Sequence, residues 1–283
     1  MMDYVTLNTG AKMPMIGYGV YQISPKECTQ CVLDALEVGY RHIDTAQAYY
    51  NEAEVGQAII SSGIPRSELF LTTKVWITNA GEEKAFISIQ KSLEQLKTDY
   101  IDLLLIHQPF GDYYGTYRAM IKAQRQGLVK SFGVSNFFPD RFVDLVETTG
   151  IVPAVNQIEG HIFNQQTKAR AIYARYGTAV EAWAPFAEGK QNLFRNPTLA
   201  KIGQKIGRTN AQIALRFLLQ LGITVLPKSV HKARMIENFD IFDFSLSVED
   251  MQMIAELDGG ESLFISHTDP DMVKFLINYS KNQ

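Results

Sequence analysis

Eight extended, mostly apolar segments recur along this 283-residue chain, at 16–20, 40–43, 69–74, 101–106, 129–134, 154–158, 178–183 and 223–227. Stretches of helical spacing separate them, such as Phe86, Ile89, Leu93 and Leu96, or Ile213, Phe217 and Leu218. Continuous apolar runs are the pattern of strands buried on both faces, and strand-then-helix repeated eight times is the count of a closed parallel barrel. Ahead of them, Tyr4-Val5-Thr6-Leu7 and Lys12-Met13-Pro14-Met15 flank Asn8-Thr9-Gly10-Ala11, which predicts a β-hairpin. The interval 184–208, with Gly189, Asn192, Asn196 and Pro197, predicts a loop crossing one face. Ser247 opens a helix over Val248 to Leu257, and the apolar end beyond it (Phe264, Ile265, Phe275, Leu276, Ile277) must dock, with a pocket rim as the expected place. No Pro-, Gly- or Ser-rich linker divides the chain. The expected fold is α/β: one (β/α)8 TIM barrel domain over 1–283, with an N-terminal β-hairpin and a C-terminal tail over the active face.

Composition narrows the partners. A formal charge of −3, from 27 basic and 30 acidic residues, gives no field that favours nucleic acid or an anionic membrane. No apolar run approaches the length of a bilayer, and Met1-Met2-Asp3-Tyr4 lacks the basic-then-apolar order of a signal peptide, so a cytoplasmic location is expected. The two cysteines, Cys28 and Cys31, form a Cys-x-x-Cys pair inside a helix that Ser24 caps and Pro25 begins. Redox chemistry prefers a strand-to-helix junction and zinc needs two further ligands, so packing is the expected role. No metal is expected.

Three ionisable residues stand where apolar strands stop: Asp44, Lys74 and His107; Tyr49 follows Asp44 in a polar stretch. In a parallel barrel, chemistry is built at strand ends. A phenol is a weak acid near neutrality, and an adjacent ammonium is expected to lower its pKa. Asp44 is placed to keep Lys74 charged, and His107 to orient a substrate oxygen. Ser135, Asn136 and Gln157 carry side chains suited to a carboxamide, and Trp183 supplies a flat ring. Lys228, Ser229 and Arg234, followed by Glu237 and Asn238, lie at the last strand and the next helix start, a common phosphate site in this architecture. Gly17-Tyr18-Gly19-Val20-Tyr21 begins like a dinucleotide fingerprint but has Gln22 at the sixth position, and the Rossmann reading fails.

These residues resemble the aldo-keto reductase family along the whole chain, above all its bacterial prostaglandin F synthase-like and 2,5-diketo-gluconate reductase-like branch. Gly39-Tyr40-Arg41-His42-Ile43-Asp44-Thr45-Ala46 with Tyr49, Asn51-Glu52 and Val55-Gly56 is similar to its first signature. Gly133-Val134-Ser135-Asn136-Phe137, and Leu226-Pro227-Lys228-Ser229-Val230 with Arg234 and Glu237-Asn238, are similar to its others. The resemblance implies NADPH-dependent reduction of aldehydes or ketones by direct hydride transfer, with Tyr49 as proton donor, Lys74 and Asp44 tuning it, and His107 orienting the carbonyl. It implies that Asp44 contacts the cofactor ribose and that Ser135, Asn136 and Gln157 hold the nicotinamide amide, with Trp183 stacked on its ring. Lys228, Ser229 and Arg234 would grip the 2′-phosphate, and Glu237 and Asn238 would lie at adenine. Gly19, Val20, Ala184, Pro185, Phe186 and Val230 complete the implied NADP(H) contacts. Gln108 stands where many relatives have tryptophan, and Ala184 replaces a frequent serine. Tyr21, Trp76, His107, Gln108 and Phe110 are the expected substrate walls, and a small-molecule carbonyl the expected partner of a monomer or weak oligomer. Regulatory and lens members bind cofactor with little turnover, but the intact tyrosine, lysine, aspartate and histidine set favours an enzyme. A glycosidase would need two facing carboxylates, and only Asp44 offers itself.

Overall fold

The computed structural model describes residues 2–281. The hairpin is present: β1 (Tyr4–Thr6) pairs antiparallel with β2 (Lys12–Pro14). Eight parallel strands follow, β3 (Tyr18–Gly19), β4 (His42–Asp44), β5 (Phe70–Val75), β6 (Ile101–Ile106), β7 (Val129–Ser135), β8 (Val155–Glu159), β9 (Ala179–Trp183) and β10 (Thr224–Val225), each paired with the next in chain order. Between β3 and β9 one helix fills each interval: α1 (Pro25–Val38), α2 (Glu52–Ser61), α3 (Glu82–Leu96), α4 (Tyr113–Arg125), α5 (Pro139–Thr149) and α6 (Thr167–Arg175). Two helices, α7 (Pro197–Ile206) and α8 (Asn210–Gln220), precede β10; α9 (Lys232–Phe239), α10 (Val248–Ala255) and α11 (Pro270–Lys281) follow it. The ring closes where Gly17 N donates to Val225 O at 2.9 Å and Val225 N to Met15 O at 3.0 Å.

Alternation along the strands splits the core in two. Outward residues such as Ile43, Leu71, Leu104, Val134 and Ile158 pack beneath the helices. Inside the barrel, Phe70, Leu103, Leu105 and Val155 form a separate cluster with Leu7 and Met13 from the hairpin. The hairpin therefore plugs the mouth at the strands' N-terminal ends, where Thr9 meets Ser131 at 2.7 Å, and the ionisable residues of the lumen lie above it. Cys28 and Cys31 are both unpaired and buried within α1, where burial pushes the Cys28 thiol up to about 12. Both pack as small hydrophobes. Among the described residues no helix is long and apolar enough to cross a membrane.

Three local expectations need correction. The interval 184–208 is not a loop throughout, because α7 occupies its second half. Asn196 is the N-cap of α7, its Oδ1 accepting from Thr198 N at 3.0 Å and Leu199 N at 3.2 Å, and Pro197 is the first helical residue. The pair that suggested a loop is a helix start. Ser24 occupies the cap position of α1 but turns its hydroxyl to Glu27 Oε2 at 2.7 Å instead of to the backbone. The apolar tail docks only in part, since Phe275 is 59% exposed. Asn196→Ala should lower the unfolding free energy by about 1 kcal/mol through the lost cap, read as a lower urea midpoint with an unchanged slope. An unchanged midpoint would show that α7 is held by packing alone.

Candidate active site

Lys74 is fully buried in the lumen, and its surroundings define its charge. Nζ donates to Asp44 Oδ1 at 2.6 Å, Thr45 O at 2.9 Å and Tyr49 Oη at 3.3 Å. An ammonium has three donors, and here each has an acceptor. Burial pulls the Lys74 pKa down, but Asp44 and Tyr49 outweigh it, and the net displacement is upward. Burial likewise pushes Asp44 up while Lys74 opposes it. With Nζ on one carboxylate oxygen and Gln157 Nε2 on the other at 3.0 Å, the pair is ionic.

Tyr49 is set by local structure more than by its strand. A 3-10 turn over Gln47–Tyr49 carries it off the end of β4. The Gln47 side chain pins that turn, its Oε1 accepting from Trp76 N and Asn79 Nδ2 at 2.9 Å each, and its Nε2 donating to Ser92 Oγ at 3.1 Å. Because Tyr49 Oη receives a hydrogen from Lys74, its own proton is free to point elsewhere. Here the expectation of a lowered pKa is corrected: burial lifts the phenol more than Lys74 lowers it, to about 12. Tyr49 therefore holds its proton at neutral pH.

His107 follows β6 and meets Tyr49 edge-on at 5.5 Å and Trp76 at 5.0 Å between ring centroids. Burial, Lys74 and His267 hold it well below the usual imidazole range, so it is neutral, and among the described residues its buried Nδ1 has no hydrogen-bond partner. Tyr21 leans on Tyr49 at 5.0 Å. Gln108 Oε1 is engaged by His267 Nε2 at 2.8 Å, and Phe110 stacks on His267, so both sit under the C-terminal tail. That contact commits the Gln108 amide oxygen to the tail.

The carboxamide-suited residues form one chain of hydrogen bonds. Trp183 Nε1 donates to Asn136 Oδ1 at 2.9 Å; Asn136 Nδ2 donates to Ser135 Oγ at 3.1 Å and His107 O at 3.2 Å; Ser135 Oγ donates to Gln157 O at 2.9 Å. Asn136 and Ala184 both take left-handed backbone, with φ of 62° and 50°. Beyond Pro185, Phe186 meets Phe194 at 5.5 Å. Along the rim, Val20 N donates to Asp44 O at 3.1 Å and Gly19 N to Pro227 O at 3.3 Å, which joins the Asp44 end to the Lys228 segment. Lys228, Val230 and Arg234 are exposed there, and among the described residues neither cation has an ion-pair partner. Ser229 Oγ accepts from His231 N at 3.0 Å, Glu237 Oε1 accepts from Thr209 at 2.6 Å, and Asn238 is buried. Among the described residues no cluster of three or more His, Cys, Asp or Glu could hold a metal.

Several positioning residues escape a reading of motifs. Asn51 ties the turn after β3 to the site, donating to Val20 O at 3.0 Å while accepting from Thr45 at 2.8 Å. Glu159, at the end of β8, anchors the tail: Oε2 accepts from Ser262 Oγ at 2.5 Å, and Oε1 accepts from Leu263 N and His161 Nε2, both at 2.9 Å. The anchored segment brings Phe264 against Trp183 at 5.3 Å, which places the tail over the active face. Glu181, buried in mid-β9, shares the Gln157 amide with Asp44. The visible signal for both carboxylates was their in-phase position, two residues apart from Gln157 or Trp183 on lumen-lining strands.

Comparison with known proteins identifies the family and the fold. The model of the aldo/keto reductase family matches residues 7–259. The chain is 41% identical over 270 residues to the methylglyoxal reductase DkgA of Escherichia coli (strain K12), covering 94% of this chain and 96% of that one. Among solved structures, MGS-M4, an aldo-keto reductase enzyme from a Medee basin deep-sea metagenome library, superposes with a TM-score of 0.91 at 42% identity, covering 94% of this chain and 98% of that one. The Bombyx mori aldo-keto reductase in complex with NADP superposes with a TM-score of 0.89 at 34% identity, covering 97% of each chain.

Proposed function

Because this chain belongs to the aldo/keto reductase family, we propose that it reduces small aldehydes and ketones with NADPH, Tyr49 donating the proton. The observation that carries this reading is the hydrogen bond from Lys74 to Tyr49 Oη, which occupies an acceptor site on the phenol and leaves its O–H to donate. The residues fit the cofactor in three places. Lys228 and Arg234, cations without carboxylate partners among the described residues, lie before and within the first turn of α9, where a phosphate is favoured. Ser135 and Asn136, bonded to one another, lie beside half-buried Trp183, which presents a ring; Gln157 joins them through its backbone oxygen, its amide hydrogens being held by Asp44 and Glu181. When bound, NADPH supplies the hydride.

The chain's own residues supply the rest. Neutral His107 donates one N–H to the carbonyl oxygen and fixes it beside Tyr49. As charge develops on that oxygen it becomes far more basic than a phenolate, so a phenol raised to about 12 still transfers its proton downhill. Lys74 then stabilises the phenolate, and Asp44 keeps Lys74 charged throughout. Tyr21, Trp76 and Phe110 exclude water, while Gln108, lacking an indole's bulk, leaves room for small polar carbonyls. The name of the Escherichia coli relative supports methylglyoxal as the first substrate to assay.

Tyr49→Phe should lower methylglyoxal-dependent NADPH consumption by about 100-fold or more while its NADPH dissociation constant stays within about twofold. Turnover comparable with the unaltered protein at saturating NADPH would remove Tyr49 from the reaction. Arg234→Ala should weaken NADPH by about tenfold or more, the loss of one charge-assisted contact, and leave NADH nearly unchanged in a fluorescence titration. Equal losses for the two cofactors would contradict the phosphate role.

A further inference from the structure

The lumen below Lys74 holds a second carboxyl that the reaction as described does not use. Glu181, from β9, is fully buried, and Gln157 reaches across to it: the two hydrogens on Gln157 Nε2 go to Asp44 Oδ2 at 3.0 Å and Glu181 Oε2 at 2.6 Å. Beyond that bond the two carboxyls differ. Asp44 has Lys74 on its other oxygen, whereas Glu181 Oε1 has no hydrogen-bond partner among the described residues. A buried carboxylate left with one neutral donor is strongly disfavoured, and the single ammonium is already committed to Asp44. The missing group is a proton, and Oε1 lies 3.6 Å from His42 Nε2. Burial and Lys74 push His42 down to about 3, so that ring is neutral and brings no positive charge to Oε1, and its Nε2 is already engaged with Thr72 Oγ1 at 3.0 Å. The ring fits because position 17 is glycine: a Cβ there would come within 2.8 Å of His42 Nδ1.

We propose that Glu181 is a positioning residue for the reduction: as the neutral acid it holds the Gln157 amide toward Asp44 and leaves Lys74 paired with one carboxylate, and its ionisation slows proton donation by Tyr49. The inference rests on the roles given above to Tyr49, Lys74 and Asp44. The titratable groups facing Glu181 are His42 and Asp44 from β4 and Lys74 from β5, while β8 and β10 present Gln157 and Thr224, which do not titrate. Burial and the Asp44 charge raise the Glu181 pKa to about 8, so the proton leaves on the alkaline side of neutrality. The added negative charge then makes a Tyr49 proton harder to release.

The test is the pH profile of methylglyoxal reduction in the unaltered protein and in Glu181→Gln, which keeps the shape and never ionises. The variant should retain its rate near pH 6.5 within about twofold, and its alkaline limb should move up by at least about one pH unit. Superimposable profiles would overturn the proposal. Difference infrared spectra of the cofactor-free unaltered protein, between about pH 6 and about pH 9, should show loss of a protonated carboxyl band. Glu181→Gln should lack that band and Glu181→Asp should shift it; a band unaffected by either substitution, or no band in the unaltered protein, would also overturn the proposal. The spectra stand whether or not Tyr49 is the donor, so failure of the functional reading and failure of this one are separable, and they serve equally if Glu181→Gln does not fold.

Discussion

An ammonium sealed inside a barrel is the constraint around which the upper half of this molecule is arranged. Lys74 has no contact with solvent, and an isolated charge there would be several kcal/mol unfavourable. Asp44 offsets that, Thr45 O takes a second hydrogen, and the third goes to Tyr49. The same pair then dictates its neighbours: Gln157 must turn its nitrogen toward Asp44, and His107 must stay neutral near a fixed positive charge. Well-packed apolar residues commonly replace such a pair without loss of stability. Its presence is therefore better explained by the proposed role of Tyr49 as an acid than by the fold it supports.

Around this centre the barrel separates support from chemistry. The hairpin residues Leu7 and Met13 fill the N-terminal mouth with apolar bulk, so the polar lumen has only one end to open toward. At that end the groups come from far apart in the chain. Tyr49 is aimed by Gln47, the turn bearing Tyr21 is tied by Asn51, and the tail is anchored by Glu159. In Glu159, burial pushes the carboxyl up, but the bonds from His161, Ser262 and Leu263 outweigh it and hold it below its usual value. It stays ionised as an acceptor for the tail across the neutral range. Gln108 and Phe110, the proposed substrate walls, consequently lie beneath a segment whose His267 already contacts both.

Much of this was legible in the chain because strand burial and strand-end chemistry leave local marks. All eight barrel strands fall within a residue or two of the apolar runs, since a strand buried on both faces has little freedom to be polar. Asp44, Lys74 and His107 stand out as ionisable residues where such runs stop. What stayed hidden is decided by context beyond the motif itself. Asn196-Pro197 has turn composition and is a helix start; only the length of amphipathic chain beyond it separates the two. The Tyr49 pKa depends on how much burial opposes Lys74, which a motif does not carry. Glu181 pairs with Gln157, 24 positions away, and through it with Asp44 on the opposite wall.

The central claim is that Tyr49 and Lys74 act as one acid, the lysine having no role in reduction apart from the phenol it holds. The most direct measurement is kcat/KM for methylglyoxal in Tyr49→Phe, Lys74→Met and the double variant, with folding checked by circular dichroism. The account predicts strong non-additivity, the double variant losing no more than about the worse single variant, as residues of one catalytic unit do. Losses that multiply would show two independent contributions and contradict it.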